Sequence, residues 1–146
     1  MAYMNQETKA KLAPAIKAVL KKYGMKGTLG VRHHSSLVLN IKEGRLDLLG
    51  NAQKHNDMVA ERRGQQSYPV GTYLQVNEYH AASWARETGN EEIANFYEEI
   101  KAAMEGPDFF NEDDAMTDYF YRSHYIDINV GQWNKPYIFT GEMETV

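Results

Sequence analysis

The chain has 146 residues, with 16 Lys and Arg against 20 Asp and Glu, no cysteine, 42% hydrophobic and 12% aromatic residues. This is the profile of one ordinary soluble domain, long enough to bury roughly 70% of the surface its unfolded chain exposes. Lack of cysteine excludes disulfide scaffolds, thiolate zinc sites and cysteine nucleophiles. No apolar run approaches the ~18 residues that span a bilayer, and Met1 to Gln6 lacks the basic end and apolar stretch of a secretory signal. A cytoplasmic location is therefore expected. The formal net charge of −4 conceals a split: residues 1–75 hold 12 Lys and Arg against 5 Asp and Glu, a net +7, and residues 76–146 hold 4 against 15, a net −11. Such a split has three readings: the halves face each other within one fold, copies form a homo-oligomer through opposed faces, or each half meets an oppositely charged partner.

In chain order, Asn5 is placed to cap a helix whose face carries Leu12, Ile16, Val19, Leu20 and Tyr23, with Lys17, Lys21 and Lys22 near its negative end and Gly24 as a stop. Pro14 predicts either a kink or the true first turn. Thr28–His33 and Leu37–Lys42 read as two strands of a hairpin around His34-Ser35-Ser36. Glu43-Gly44 then reads as a turn and Arg45–Leu49 as a third strand. Residues 50–67 are polar and aperiodic, which predicts a mobile or functional segment, because long structureless stretches are uncommon inside a compact domain.

Residues 78–88 read as a short helix. Asn90 begins a longer one with Ile93, Phe96, Tyr97, Ile100 and Met104 as its stripe, Glu91 and Glu92 at its positive end, and Gly106-Pro107 as its stop. Tyr125–Val130 alternates with period two, predicting a core strand that presents Ile126, Ile128 and Val130 on one face. Lys135–Phe139 reads as an edge strand because of Pro136. The expected architecture is one α+β domain over residues 1–146: N-terminal helix, antiparallel hairpin, second long helix and a C-terminal core strand in a small antiparallel sheet.

The densest polar cluster is Arg32-His33-His34-Ser35-Ser36. A hairpin tip of guanidinium, imidazole and hydroxyl groups suits a phosphate or carboxylate, so Arg32, His33, His34 and Ser36 are the candidate anion contacts. Each His-x-Ser tripeptide matches half of a two-histidine phosphoesterase pattern, yet His55, His80 and His124 supply no second half. A metal site from His33, His34, His80, His124 and Asp127 has no spacing to favour it. The acidic run from Asp108 to Asp118 lacks the Gly and terminal Glu of a calcium loop. No phosphate-binding Gly loop, nucleophile elbow or kinase signature is present. No catalytic residue, metal or cofactor is assigned. Tyr121, Tyr125 and Trp133 are the candidate stacking or interface residues.

Two blocks carry a resemblance. One runs from Lys11 to Lys42 and contains Lys21-Lys22-Tyr23-Gly24-Met25-Lys26-Gly27 and Arg32-His33-His34-Ser35-Ser36. The other holds Thr117-Asp118-Tyr119-Phe120 and Tyr125-Ile126-Asp127-Ile128-Asn129-Val130-Gly131-Gln132-Trp133-Asn134-Lys135-Pro136-Tyr137. Together they cover about a third of the chain. They resemble small accessory proteins of unassigned role from tailed phages and mobile elements and, more distantly, a domain attached to large polyvalent phage and plasmid proteins. The resemblance implies a phage-type accessory protein in the host cytoplasm that acts by stoichiometric binding: inhibition of a host or defence protein, or sequestration of a small phosphorylated ligand. Two alternatives stand beside it. One is a nucleotide-directed hydrolase or lyase with His33 or His34 as general base, Asp127 orienting it or Arg32 stabilising negative charge. The other is a nucleic-acid binder using Arg32, Lys42, Arg45, Arg62 and Arg63 with Tyr119, Tyr121, Tyr125 and Trp133, or conversely an acidic mimic of DNA.

Overall fold

The computed structural model describes residues 3–107, 109 and 123–141. Helix α1 spans Gln6–Lys22, and the Asn5 side chain accepts the Thr8 amide at 2.8 Å, satisfying one of the donors a helix start leaves open. Pro14 lies inside α1 rather than at its start. Ile16, Leu20 and Tyr23 are buried as their spacing requires. Gly24, at φ +70°, turns the chain directly into strand β1 (Met25–Arg32).

β1 pairs antiparallel with β2 (Ser36–Gly44), and a register shift at Lys26/Gly27 brings the backbones close enough that a Cβ on Gly27 would lie 2.7 Å from the Asn40 carbonyl oxygen. The residues expected to turn at Glu43-Gly44 are the end of β2. The expected third strand at 45–49 is absent: Arg45 and Leu46 bend away and Asp47 caps helix α2 (Leu48–Arg63), accepting the Gly50 amide at 3.0 Å. Most of the stretch read as structureless is therefore helix, closed by Gly64 at φ +62°. Its buried residues are Leu48, His55 and Ala60, so that an imidazole and a small residue occupy places that periodicity arguments reserve for large apolar groups.

After β3 (Leu74–Gln75) come α3 (Ala81–Glu87) and α4 (Glu91–Glu105). Asn90 accepts the Ile93 amide at 3.0 Å, and Ile93, Phe96, Tyr97, Ile100 and Met104 are all buried. β4 (Tyr125–Val130) and β5 (Ile138–Phe139) complete the sheet. Its order is β1-β2-β4-β3, with β5 pairing the far end of β2. β4 lies antiparallel to β3 but parallel to β2, as does β5, so the sheet is mixed and not wholly antiparallel.

One core joins the helices to one sheet face: Leu37, Leu39, Ile41, Ile128 and Val130 meet Ile16, Leu20, Phe96, Ile100 and Met104. Each such side chain contributes about 1.5–3 kcal/mol by leaving water. Part of the charge split is met by pairs within the chain. Lys22 pairs with Glu99 at 2.7 Å, Arg45 grips both oxygens of Glu92 at 3.0 and 2.6 Å, Arg62 lies 3.8 Å from Glu87, and Arg32 pairs with Asp127. Every one of these joins a base from the first half to an acid from the second. Hydrogen bonds from Lys22 and Tyr23 hold the Glu99 carboxyl below its ordinary range, and those from Arg45 do the same for Glu92. No helix among the described residues is long and apolar enough to cross a membrane.

Candidate functional site: the outer face of the sheet

Alternation along the strands sends half of each strand's residues away from the core. The register sets Arg32 opposite Ser36, Gly30 opposite Val38 and Thr28 opposite Asn40, and then Ser36 beside Tyr125, Val38 beside Asp127, Asn40 beside Asn129 and Asn129 beside Gln75. These residues form the face opposite the one that carries Leu37, Leu39, Ile41 and Ile128.

Two polar bridges cross that face. In the first, the Arg32 guanidinium on β1 donates to one carboxylate oxygen of Asp127 on β4, and the Gln75 amide on β3 donates to the other at 3.3 Å. In the second, Asn129 donates to Asn40 at 3.1 Å. Asp127 is 7% exposed at its side chain and Arg32 51%, so the carboxylate is shielded while its cation reaches solvent. Buried Val38 sits between the bridges. At Gly30 an added Cβ would meet nothing within 4 Å, which leaves the floor open there.

Aromatic side chains rim the resulting groove of about 660 Å³. Trp133 is 79% exposed and Tyr73 50%, while Tyr125, 38% exposed, lies on the same face next to Ser36. Trp133 rides a tight turn in which Gln132 and Lys135 exchange backbone hydrogen bonds of 2.8 and 3.0 Å. Gly131 enters that turn at φ +73°, where a Cβ would lie 2.6 Å from the Tyr137 nitrogen and 3.0 Å from the Thr72 oxygen. The indole is thus displayed on a fixed support.

Of the residues singled out from sequence, Arg32, Ser36 and Tyr125 share this face and Trp133 rims it. Tyr121 lies outside the described residues, as does the acidic run apart from Phe109. His33 and His34 occupy the turn beyond the face, at φ 54° and 53°, with the Ser35 amide bonded to the Arg32 carbonyl at 3.2 Å. Left-handed values at both central residues make this a type I′ turn, a geometry that favours Asn-Gly and is strained for histidine. The tip is tied down: the His34 carbonyl accepts the Met4 amide at 2.7 Å and the Ser35 carbonyl the Tyr125 amide at 2.9 Å. Both imidazoles are exposed.

The guanidinium expected to hold an external anion holds Asp127 instead, and the partners of Asp127 are Arg32 and Gln75 rather than a histidine. None of the other histidines lines this groove. His124 is buried with Nε2 2.9 Å from the Met104 carbonyl, His80 stacks on Trp84, and His55 Nε2 lies 3.1 Å from Glu87. Among the described residues, no three His, Asp or Glu side chains gather to hold a metal ion. Sequence reasoning missed Gly30, Asn40, Tyr73, Gln75 and Asn129. Alternation within Leu37–Ile41 and Tyr125–Val130 already separates Val38, Asn40, Asp127 and Asn129 from the core residues. No local signal shows that the two strands lie side by side. Compared with known proteins, the chain matches no family model, no curated protein and no solved structure.

Proposed function

We propose that the chain is a non-catalytic binding protein that docks a folded protein partner on the outer face of its sheet. The observation that carries this reading is a sheet face that no helix among the described residues covers, on which Arg32 pairs with Asp127 and exposed Trp133 and Tyr73 form the rim. Large rigid aromatics over a floor of amides and hydroxyls are the composition of protein interfaces, where a few such residues dominate the binding energy. A polyanion fits less well, because phosphate binding draws on unpaired cations and the guanidinium of this face is already paired. The resemblance to accessory proteins of phages and mobile elements supplies the context, in which the partner is a host or defence protein bound one to one.

Gly30→Leu is the direct test, since it fills the groove floor where nothing stands and leaves the core untouched. The expected result is that wild-type protein captures a discrete partner from its native cells, that the purified pair reconstitutes one to one, and that Gly30→Leu and Trp133→Ala each weaken it at least roughly tenfold. Equal affinity for all three proteins removes the proposal.

A further inference from the structure

β1 is an outermost strand of the sheet, and its side away from β2 meets no other strand among the described residues. Which of its backbone groups point that way follows from the ladder. The Ser35 and Ile41 carbonyls accept the Tyr125 and Gly131 amides, each at 2.9 Å, so the odd-numbered residues from 35 to 41 turn their backbone toward β4. Ser36, Val38 and Asn40 therefore turn theirs toward β1, where they face Arg32, Gly30 and Thr28. Gly27, Leu29 and Val31 are left with their N–H and C=O groups directed outward, and none of these meets another backbone group among the described residues. Such an edge is a template for one more strand.

Charge narrows what that strand is. Helix α1 packs against both α4 and β1. Lys22 reaches Glu99 on α4, while Lys21 and Lys17 lie about 100° and 140° round the helix from it, past Leu20, on the flank away from α4 and so on the β1 side. With exposed Lys26 on β1 itself they border the first half of the edge. Among the described residues the lysines in ion pairs are Lys11, Lys22 and Lys101, which leaves Lys17, Lys21 and Lys26 without one; Glu43, across the ladder from Lys26, is not bonded to it. These cations disfavour a second copy as the added strand. The antiparallel register that would pair Gly27, Leu29 and Val31 with their own counterparts sets Lys26 against Arg32 of the copy, and like charges directly opposite are destabilising. They favour carboxylates. Phosphates would draw on the lysines alone and leave the outward backbone groups unmet.

We infer that the β1 edge takes up an extended acidic segment of another protein as an added strand, its backbone bonded to Gly27, Leu29 and Val31 and its Asp or Glu side chains beside Lys17, Lys21 and Lys26. The assignment draws on none of Trp133, Tyr73 or the Arg32–Asp127 pair, so it can fail while docking on the outer face stands, and the reverse.

The probe is a fully randomised library of peptides about ten residues long, enough to span the eight of β1, from which the wild-type protein selects binders. The selected peptides should be rich in Asp and Glu and free of Pro at their centre. In hydrogen exchange followed by ¹H–¹⁵N spectra, the Thr28 and Gly30 amides of the free protein should exchange slowly and those of Leu29 and Val31 fast, and the tightest selected peptide should slow Leu29 and Val31 at least roughly tenfold. Lys17→Gln with Lys21→Gln and Lys26→Gln should weaken that peptide roughly 3- to 30-fold, and Arg62→Gln with Arg63→Gln, at the end of α2, should not. Val31→Pro removes one outward N–H and no ladder bond, a change an edge strand tolerates, and should abolish binding. The inference is overturned if no peptide is selected, if the selected peptides are not acidic, if Leu29 and Val31 stay unprotected in the complex, if the triple lysine variant binds like wild type, or if Leu29 and Val31 become protected as protein concentration alone is raised, the mark of pairing between copies.

Discussion

Replacing Arg32 by Ala removes the cation that Asp127 faces across the sheet. The remaining described donor to that carboxylate is the Gln75 amide at 3.3 Å. Breaking a fully buried ion pair from one side costs about 3–5 kcal/mol, and losing an exposed pair costs at most about 1 kcal/mol. Here the carboxylate is 7% exposed and the guanidinium 51%, so water can replace part of what the arginine supplied. The loss should therefore fall near 2 kcal/mol, between the two limits. A double-mutant cycle of Arg32→Ala, Asp127→Asn and the combined variant, read by urea unfolding, should give a coupling of about 1–2 kcal/mol at unchanged m-value, the combined variant losing less than the sum of the two. A coupling below about 0.5 kcal/mol would be indistinguishable from additivity and would show that the pair does not organise this face.

Other outcomes follow from the same geometry. Trp133→Ala should leave unfolding free energy within about 0.5 kcal/mol of wild type, because the indole is almost fully exposed, and so separate binding from folding. His33→Asn with His34→Gly supplies the residues a type I′ turn favours and should raise stability by about 1 kcal/mol; if partner binding survives the change, the imidazoles are structural passengers. Gly131→Ala, by contrast, meets both a left-handed backbone and a Cβ position 2.6 Å from the Tyr137 nitrogen, and should cost at least about 2 kcal/mol in the same urea assay. Glu92 and Glu99 are held below their ordinary values in the fold, so the unfolded chain binds their protons more readily and stability rises with pH through the acidic range. That contribution should be complete at neutral pH and be lost as pH falls below about 4.5 toward the folded values. Glu92→Gln with Glu99→Gln should flatten the acid limb of a stability profile.

Much of the fold was legible because local rules and burial agree. Asn5 and Asn90 cap the helices they were expected to cap, the stripe from Ile93 to Met104 is buried throughout, and Tyr125–Val130 is a central strand. Helix α2 escaped because two of its three buried residues are His55 and Ala60. A helix of that kind leaves little apolar periodicity to read. The parallel pairing of β4 with β2 escaped for a different reason, as it joins residues about 90 positions apart and no turn chemistry announces it. The candidate site shows the same division. Arg32, Ser36, Tyr125 and Trp133 drew notice as polar or aromatic residues, but their grouping, and the roles of Asp127, Asn40, Asn129 and Gly30, come from the register. The left-handed backbone at His33 and His34, which closes the hairpin, has no signal in the residue types themselves.

The most direct measurement of the central claim is site-specific photo-cross-linking in the native cells, with p-benzoylphenylalanine placed at Tyr73 or Trp133 on the rim and at exposed Arg63 on α2 as control. The account predicts one discrete protein adduct from positions 73 and 133, at the mass of a one-to-one complex with a foreign chain, and none from position 63. Adducts of equal yield from all three positions, an adduct with nucleic acid, or no adduct from the rim would contradict it.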